Sequence, residues 1–378
     1  MKTRRQTLRT TALVVALALT GLSPALHARH DNDDDDDGFR AGKVFTSTNA
    51  PAGNEVMVYD AAPESLSFVT RIATQGTGTG TGLGNQGAVT LSGDGRYLFV
   101  VNAGSHDVST FRVRRSGVQL ISVTPSGGLQ PVSVAEHEGL VVVLNADGTG
   151  NVTSFRNHGG RLEPVAGGMQ PLSAATGTAP AQVGFGKDGR SLIVTEKATN
   201  KLTTYRVSSD GVIDAPVVTA SAGATPFGFA VDRRGTLLVS EAFGGAAGAS
   251  ALSSYTFANT GAVEPMVVSP SVGTTQSAAC WVVVTPNGRY AYTTNTASNT
   301  ISLYGVMGNG QVALRNGVAS STDAGPIDAA IAPRGRQLFV LNAGGRTIQG
   351  FGIARNGELG AMVRASDLPA GSNGLAAN

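Results

Sequence analysis

One pattern recurs seven times along this chain: two alternating apolar runs joined by a glycine-containing turn, then a polar residue, a second turn and a third run. Two clear copies are QGAVTLSGDGRYLFVVNAGSHDVSTFRV at 86–113 and PIDAAIAPRGRQLFVLNAGGRTIQGFGI at 326–353. The polar residue marks the period, with steps of 43 to 54 residues between Asn49, Asn102, Asn145, Glu196, Glu241, Asn295 and Asn342. Repeats of roughly 40–50 residues with several short strands are typical of the blades of a β-propeller.

Each full copy predicts four strands. Residues alternate within a copy with a period of two, as at 108–113, and no stretch after residue 28 sustains the 3.6-residue period of a helix. The elements GDGR, KDGR, PNGR and PRGR separate the first and second strands and predict tight turns in which Gly takes a positive φ. The fourth strand gives the weakest signal, for example at 120–123 and 359–363.

The two ends of the array complement each other. The opening copy, at 42–60, lacks its first strand, and the tail GSNGLAAN at 371–378 resembles that missing strand. A C-terminal strand that completes the first blade would remove two exposed sheet edges. We therefore predict an all-β fold over residues 41–378, a seven-bladed β-propeller with four-stranded blades whose ring is closed by the C-terminal strand.

The N-terminal segment predicts export. Residues 1–28 combine a basic start at Arg4, Arg5 and Arg9 with an apolar stretch at 11–22 and a small-residue end, as in a signal peptide. The apolar stretch is too short to span a membrane, so we expect no transmembrane anchor. TRRQTLR resembles a twin-arginine signal, and an ordinary Sec signal is the alternative. Residues 29–40 predict an acidic, Asp-rich linker whose spacing does not match a calcium loop. We therefore expect a periplasmic or secreted protein.

Composition limits the classes of function. The formal net charge of +2 is small and the basic residues are scattered, which argues against a nucleic-acid partner. The single cysteine, Cys280, excludes an intramolecular disulfide, and we expect it to be a small buried residue near the central channel. The Gly-rich run at 76–87 matches GxGxxG once but leads into a strand, which predicts a loop over the channel. No metal or other cofactor is predicted, because HExxH and clustered Cys/His are absent, and no GxSxG motif indicates a serine nucleophile.

One face of a propeller collects the loops before the first strands and after the second strands. Polar and aromatic residues at these places form the predicted substrate-binding set, which consists of Lys197, Gln86, Gln182, Asn102, Asn145, Asn295, Asn342 and Trp281. The alternative for the asparagines is structural, because Asn side chains anchor turns by bonding nearby backbone groups.

Two carboxylates interrupt the ring of asparagines. Glu196 and Glu241 occupy equivalent positions in consecutive copies, and Glu is a poor turn-capping residue. Two neighbouring carboxylates divide acid and base work when their environments separate their pKa values, so both are predicted catalytic residues. Lys197 could pair with Glu196 or attract an anionic substrate. The alternative is that both carboxylates serve as structural ion pairs or loop anchors.

The repeats resemble a known family. GDGRYLFVVNAGSHDVSTFRV and PRGRQLFVLNAGGRTIQGFGI are similar to repeats of seven-bladed lactonases of the 6-phosphogluconolactonase and carboxymuconate cyclase types. AYTTNTASNTISLY at 291–304 also resembles the YVTN repeat of surface proteins. The lactonase resemblance covers 42–378 and implies hydrolysis or formation of a small lactone. The family's enzymes are expected to use His, Arg and Glu around the channel. Here Val132, Ala181, Phe227 and Ile327 follow the first-strand prolines, where the family often has His.

Three functions follow from these patterns. The first is an exported lactonase-like enzyme that acts on a small lactone or carboxylate at the channel mouth. The second is a non-catalytic propeller that binds a ligand or an envelope protein, and the third is a structural or cell-surface component. In each case we expect a monomer.

Overall fold

Twenty-eight β-strands form seven four-stranded antiparallel sheets in residues 42–259 and 261–378, which are the residues that the computed structural model of the protein describes. The predicted signal peptide (1–28) and linker (29–40) lie outside the described residues. Each sheet is one blade, and its first strand is nearest the channel. This arrangement confirms the predicted seven-bladed propeller.

In the first four blades the strands follow one another from the channel outwards. Blade 1 contains β28 (Asn373–Ala377), β1 (Gly42–Ser47), β2 (Glu55–Ala62) and β3 (Ser65–Ala73). Blade 2 contains β4 (Val89–Leu91), β5 (Tyr97–Asn102), β6 (Asp107–Arg114) and β7 (Gly117–Pro125). Blade 3 contains β8 (Leu129–His137), β9 (Leu140–Asp147), β10 (Asn151–His158) and β11 (Arg161–Pro171). Blade 4 contains β12 (Pro180–Phe185), β13 (Ser191–Glu196), β14 (Lys201–Arg206) and β15 (Val217–Ala220).

The remaining three blades follow the same order. Blade 5 contains β16 (Pro226–Val231), β17 (Leu237–Glu241), β18 (Ala251–Phe257) and β19 (Pro265–Gly273). Blade 6 contains β20 (Ala279–Val284), β21 (Tyr290–Asn295), β22 (Thr300–Val306) and β23 (Val312–Ser321). Blade 7 contains β24 (Pro326–Ile331), β25 (Gln337–Asn342), β26 (Thr347–Ile353) and β27 (Leu359–Ala365). Among the described residues the sole helical element is a 3₁₀ turn at Phe243–Gly245, and no helix there is long and apolar enough to cross a membrane.

The C-terminal strand closes the ring as the sequence predicts. β28 pairs antiparallel with β1, with Val44 opposite Ala377 and Phe45 opposite Ala376. Leu375 is buried among residues of blades 1 and 7. Its backbone N–H donates to Oδ2 of Asp328 at 3.1 Å, and burial raises the pKa of this carboxyl well above its ordinary value. The last strand therefore joins the first blade to the seventh.

The channel has two distinct faces because the strands alternate in direction. The upper face carries the loops that lead into first strands and the loops between second and third strands. The lower face carries the turns between first and second strands, and here Gly95, Gly189, Gly288 and Gly335 have φ values of 65 to 68°. These values confirm the tight turns predicted from the GDGR-like elements. Apolar side chains of neighbouring blades pack between the sheets, as around Val142, so the core surrounds the channel.

Candidate functional site

The asparagines that end the second strands are anchors inside the blades. Asn102, Asn145, Asn295 and Asn342 are each 0% exposed. Asn102 Nδ2 donates to Asp107 Oδ1 at 2.6 Å and to Ser109 Oγ at 2.8 Å, and so ties the second strand to the third. Asn342 makes the matching bonds on β26. These contacts are those of the turn-anchoring alternative, and they leave no surface for a ligand. A role in substrate binding stays a prediction.

Glu196 occupies the same kind of position. Its carboxylate is 0% exposed and accepts hydrogen bonds from the Ser173 backbone N–H at 2.9 Å, Thr199 Oγ1 at 2.8 Å and Thr203 Oγ1 at 2.7 Å. The side chain of Ser173 also donates to it. Lys197 does not pair with Glu196 among the described residues, contrary to one of the two roles considered for that lysine. Both carboxylate oxygens of Glu196 therefore accept hydrogen bonds from blade 4 and from the segment that leads into it.

Glu241 is held in the same way in blade 5. It is 0% exposed, and the hydroxyls of Ser253 and Ser271 donate to its two oxygens, the latter at 2.6 Å. Burial raises the pKa of Glu241, while these bonds and the Gly223 backbone N–H oppose the rise. No hydrogen bond joins Glu196 to Glu241 in the described chain. Their predicted catalytic role stays a prediction, and it requires the carboxylates to become exposed.

A loop of the chain itself fills the upper mouth of the channel. This channel loop, residues 76–87, ends in Asn85 and Gln86, which are 1% and 8% exposed. Gln86 bonds both backbone groups of Val282, with its Nε2 2.9 Å from the carbonyl oxygen. Asn85 accepts from Trp281 Nε1 at 2.6 Å and from Asn373 Nδ2 at 2.9 Å. The loop is therefore hydrogen-bonded to blades 1 and 6 inside the channel. The sequence predicted only that it would lie over the channel.

Lys197 lies at the rim of this plugged mouth. It is half-buried, its Nζ donates to the carbonyl oxygen of Gly84, and Nζ lies 4.7 Å from the centre of the Phe227 ring. The Phe227 ring packs on Trp281 with 5.0 Å between centroids. Burial lowers the pKa of Lys197 to about 8, although the neighbouring Cys280 opposes this shift. An amine with this pKa is present in both its protonated and its neutral form close to neutral pH.

Cys280 is buried beside this group, as the sequence predicts. Its side chain belongs to a small cluster that includes Phe227 and Trp281. Burial raises the pKa of the Cys280 thiol to about 11, despite a hydrogen bond to Thr296 and the charge of Lys197. A thiol with a raised pKa is a poor nucleophile near neutral pH, so the chemistry of this cluster rests on the amine.

The predicted binding residues thus separate into three places. Lys197, Gln86 and Trp281 come together at the upper mouth. The four asparagines lie inside the blades. Gln182 bonds the backbone of Phe229, with its Oε1 2.6 Å from the amide nitrogen, and lines a cavity on the lower side. Asn85 and Phe227 were not in the predicted set, and a polar pair at the end of a Gly-rich run was the available signal for Asn85.

The arrangement suits recognition of an anion or a developing oxyanion. A lysine ammonium has three N–H donors, and the Gly84 carbonyl uses one of them. The Phe227 ring adjoins this amine, and the buried Trp281 packs on Phe227. No group of three metal-ligating side chains occurs in the described part of the chain.

Fold and repeats together define a class, the seven-bladed β-propellers with four-stranded blades. The chain belongs to the seven-bladed β-propeller lactonase family, whose family model matches residues 52–170 and 249–373. No curated protein matches the sequence.

Solved structures share the fold at low sequence identity. A putative 6-phosphogluconolactonase from Bacteroides fragilis is 16% identical with a TM-score of 0.68 and covers 90% of this chain and 98% of its own. One from Bacteroides uniformis is 17% identical with a TM-score of 0.69 and covers 88% and 99%. The periplasmic gluconolactonase PpgL of Pseudomonas aeruginosa is 18% identical with a TM-score of 0.66 and covers 89% and 98%. At these identities the likeness establishes the fold.

Proposed function

We propose that this protein is an exported hydrolase of small lactones whose substrate binds at the upper mouth, on the solvent side of the channel loop. The observation that carries the proposal is the half-buried Lys197, whose amine adjoins Phe227 and has a pKa of about 8. Membership of the lactonase family supports the choice of reaction. Because Asn85 beneath it is buried, a ligand meets Lys197 from outside the plug.

The chemistry required of Lys197 is modest. Water adds to the lactone carbonyl carbon, and negative charge develops on the carbonyl oxygen. A protonated amine within hydrogen-bond distance stabilises that oxyanion, as donors in oxyanion holes do. The ring C–O bond then breaks, the leaving oxygen takes the proton lost by the water, and a hydroxy acid results. The Phe227 ring, which is 9% exposed, would meet the carbon atoms of the lactone ring, and the buried Trp281 supports that ring from within.

The proposal is tested by hydrolysis of a panel of simple γ- and δ-lactones. Lys197→Met should lower kcat/KM by about 10²-fold, the loss seen when one oxyanion donor is removed. The matched control is Lys201→Met, which removes the same charge on the same face at a lysine that contacts neither Phe227 nor Gly84. If Lys197→Met hydrolyses the lactones as fast as the wild type does, the protein is an enzyme whose active residue is not Lys197.

Export is the second part of the proposal. The signal-like residues 1–28 support it, and one structural neighbour is described as periplasmic. N-terminal sequencing of the protein outside the cytoplasm should find a start near Arg29. An intact Met1 on exported protein would contradict it. Replacement of Arg4 and Arg5 by Lys should block export only if the twin-arginine route is used.

A non-catalytic binding protein is the second candidate function. The specific observation that favours it is the plugged mouth, in which Asn85 and Gln86 occupy the centre and both predicted carboxylates are 0% exposed. If the wild type hydrolyses none of the lactones above background, this function becomes the better one. Calorimetry should then detect binding of a hydroxy acid to the wild type and none to Lys197→Met. This result would identify the upper mouth as a ligand-binding site.

A further inference from the structure

The cavity that Gln182 lines opens on the lower face, away from Lys197. It measures about 370 Å³ and lies between the first strands of blades 2 to 5. Gly87, the last residue of the channel loop, lines it, and the ionisable side chains on its wall are Glu136, His137, Lys187, Asp232 and Arg233. Lys187 and Arg233 are exposed at its rim. The size is that of a site for a small organic molecule.

The acidic groups of this cavity are already bound by the protein itself, Glu136 through hydrogen bonds and Asp232 through an ion pair. Both oxygens of Glu136 accept backbone N–H groups, from Gly93 at 2.8 Å and from Gly139 at 2.7 Å. Asp232 lies 2.9 Å from Arg234 and also accepts two backbone N–H groups. By contrast, Lys187 and Arg233 form no ion pair within the described residues. Glu136 contributes one negative charge and these two unpaired cations contribute two positive charges, so the net charge of the wall is positive.

The two cations are positioned by the turns of neighbouring blades. Lys187 packs its stem on the turn of blade 5, where its Cδ lies 3.7 Å from the place that a Cβ would take at Gly235. Arg233 Nε donates to the Asn287 carbonyl oxygen in blade 6 at 3.0 Å. One guanidinium nitrogen is thus engaged while the others remain for a ligand. Contacts of this kind reduce the conformational entropy that binding would cost.

The repeat itself supplies a positive field around this opening. In five blades the turns between first and second strands carry basic residues, which are Arg96, Lys187, Arg190, Arg233, Arg234, Arg289, Arg334 and Arg336. The acidic residues of all such turns are fewer, namely Asp94, Glu138, Asp188 and Asp232. Arg96 is paired with Asp94 at 2.6 Å, as Arg234 is with Asp232. Like charges around a concave site raise the local concentration of an oppositely charged ligand.

We propose that the lower cavity binds a small organic anion with two or more carboxylates, one facing Lys187 and one facing Arg233. Both cations make charge-assisted hydrogen bonds to carboxylates, and the guanidinium does so with two parallel donors. This site goes beyond the proposed function, because it lies on the opposite face and contains none of the residues assigned to lactone hydrolysis.

Isothermal titration calorimetry with citrate at physiological ionic strength tests the proposal. The wild type should bind citrate saturably at one site. Lys187→Met and Arg233→Met should each weaken binding at least about tenfold, as expected for loss of a hydrogen bond to a charged group. Both residues are exposed, so melting curves should show that the variants stay folded.

Arg289→Met is the matched control, since it removes a lower-face cation that does not line the cavity. It should leave the Kd for citrate within about twofold. If Arg289→Met weakens citrate binding as much as the other two variants do, the attraction comes from the overall positive charge of the lower face, and the proposed site is wrong. Absence of saturable citrate binding would also overturn it, and saturable binding of inorganic phosphate alone would overturn the carboxylate assignment. None of these results depends on whether lactones are hydrolysed.

Discussion

At the scale of single residues, the polar side chain near the end of the second strand is an anchor for the third strand in blades 2 to 7. Its partner recurs seven residues later as Ser109, Ser302 or Thr203, where a hydroxyl meets the amide or carboxylate. The longer Glu side chain keeps this bond and adds others, such as that from Ser173 to Glu196. A carboxylate therefore replaces Asn without leaving the blade interior.

Glu241→Gln separates the structural role from the predicted catalytic one. Its hydroxyl partners lose a charged acceptor, so we expect the free energy of unfolding to fall by about 1–3 kcal/mol. Under the proposed mechanism kcat/KM for lactones should change less than about tenfold. Glu196→Gln serves as the parallel case. A fall of ~10²–10⁴ in turnover with unchanged denaturant midpoints would instead establish acid–base catalysis by these carboxylates.

The ionisation of Lys197 gives the proposed activity a pH limit. The protonated amine is the active form, and burial lowers its pKa to about 8. We expect kcat/KM to be level below that pH and to fall about tenfold per unit above it. Profiles of wild type and Lys197→Met on one lactone provide the measurement. A residual activity of Lys197→Met with the same alkaline limb would assign that limb to another group.

At the scale of elements, the channel loop depends on glycines opposite it. A Cβ at Gly228 would lie 2.1 Å from Gln86 Oε1 and 2.7 Å from the Cys280 carbonyl oxygen. Both contacts are far shorter than van der Waals separation, and the carbonyl belongs to the backbone. The end of the loop and the first strands of blades 5 and 6 therefore fit together only without a side chain here.

We expect Gly228→Ala to displace Gln86 from the channel. The sole tryptophan reports on this, because Trp281 Nε1 donates to the Asn85 carbonyl oxygen at 2.6 Å. Its emission should shift to longer wavelength as water reaches the indole. Gly352→Ala is the control, since nothing lies within 4 Å of the Cβ it would add. Identical spectra for Gly228→Ala and wild type would show that the plug tolerates the extra methyl group.

The sequence predicted the elements better than the site. The number of blades, the ring closure and the turns around Gly95 and Gly335 follow from residue spacing and local chemistry. These signals recur in several copies of the repeat. The fourth strands run further than their weak pattern, as in β7, because pairing with the third strand stabilises them. Lys197 meets Phe227 of the next blade, and the Trp281 indole meets the Asn85 backbone 196 residues away along the chain. No local sequence pattern encodes contacts between different blades.

At the scale of the whole molecule, the ring depends on its last strand. Deletion of residues 371–378 removes the burial of Leu375, worth ~2 kcal/mol, and leaves backbone groups of β1 without partners. We expect the melting temperature to fall by roughly 5 °C or more. Deletion of residues 29–37 is the control, as it leaves the sequence of all twenty-eight strands intact. Equal melting temperatures for the two deletions would contradict closure by β28.

The strand that completes blade 1 is synthesised after the other twenty-seven strands. While the chain grows, β1 can pair with β2, but its inner edge waits for residues 373–377. Until those residues are available the chain carries an open arc in place of a ring, however many blades have already formed. The period during which the ring stays open is therefore set by the position of five residues.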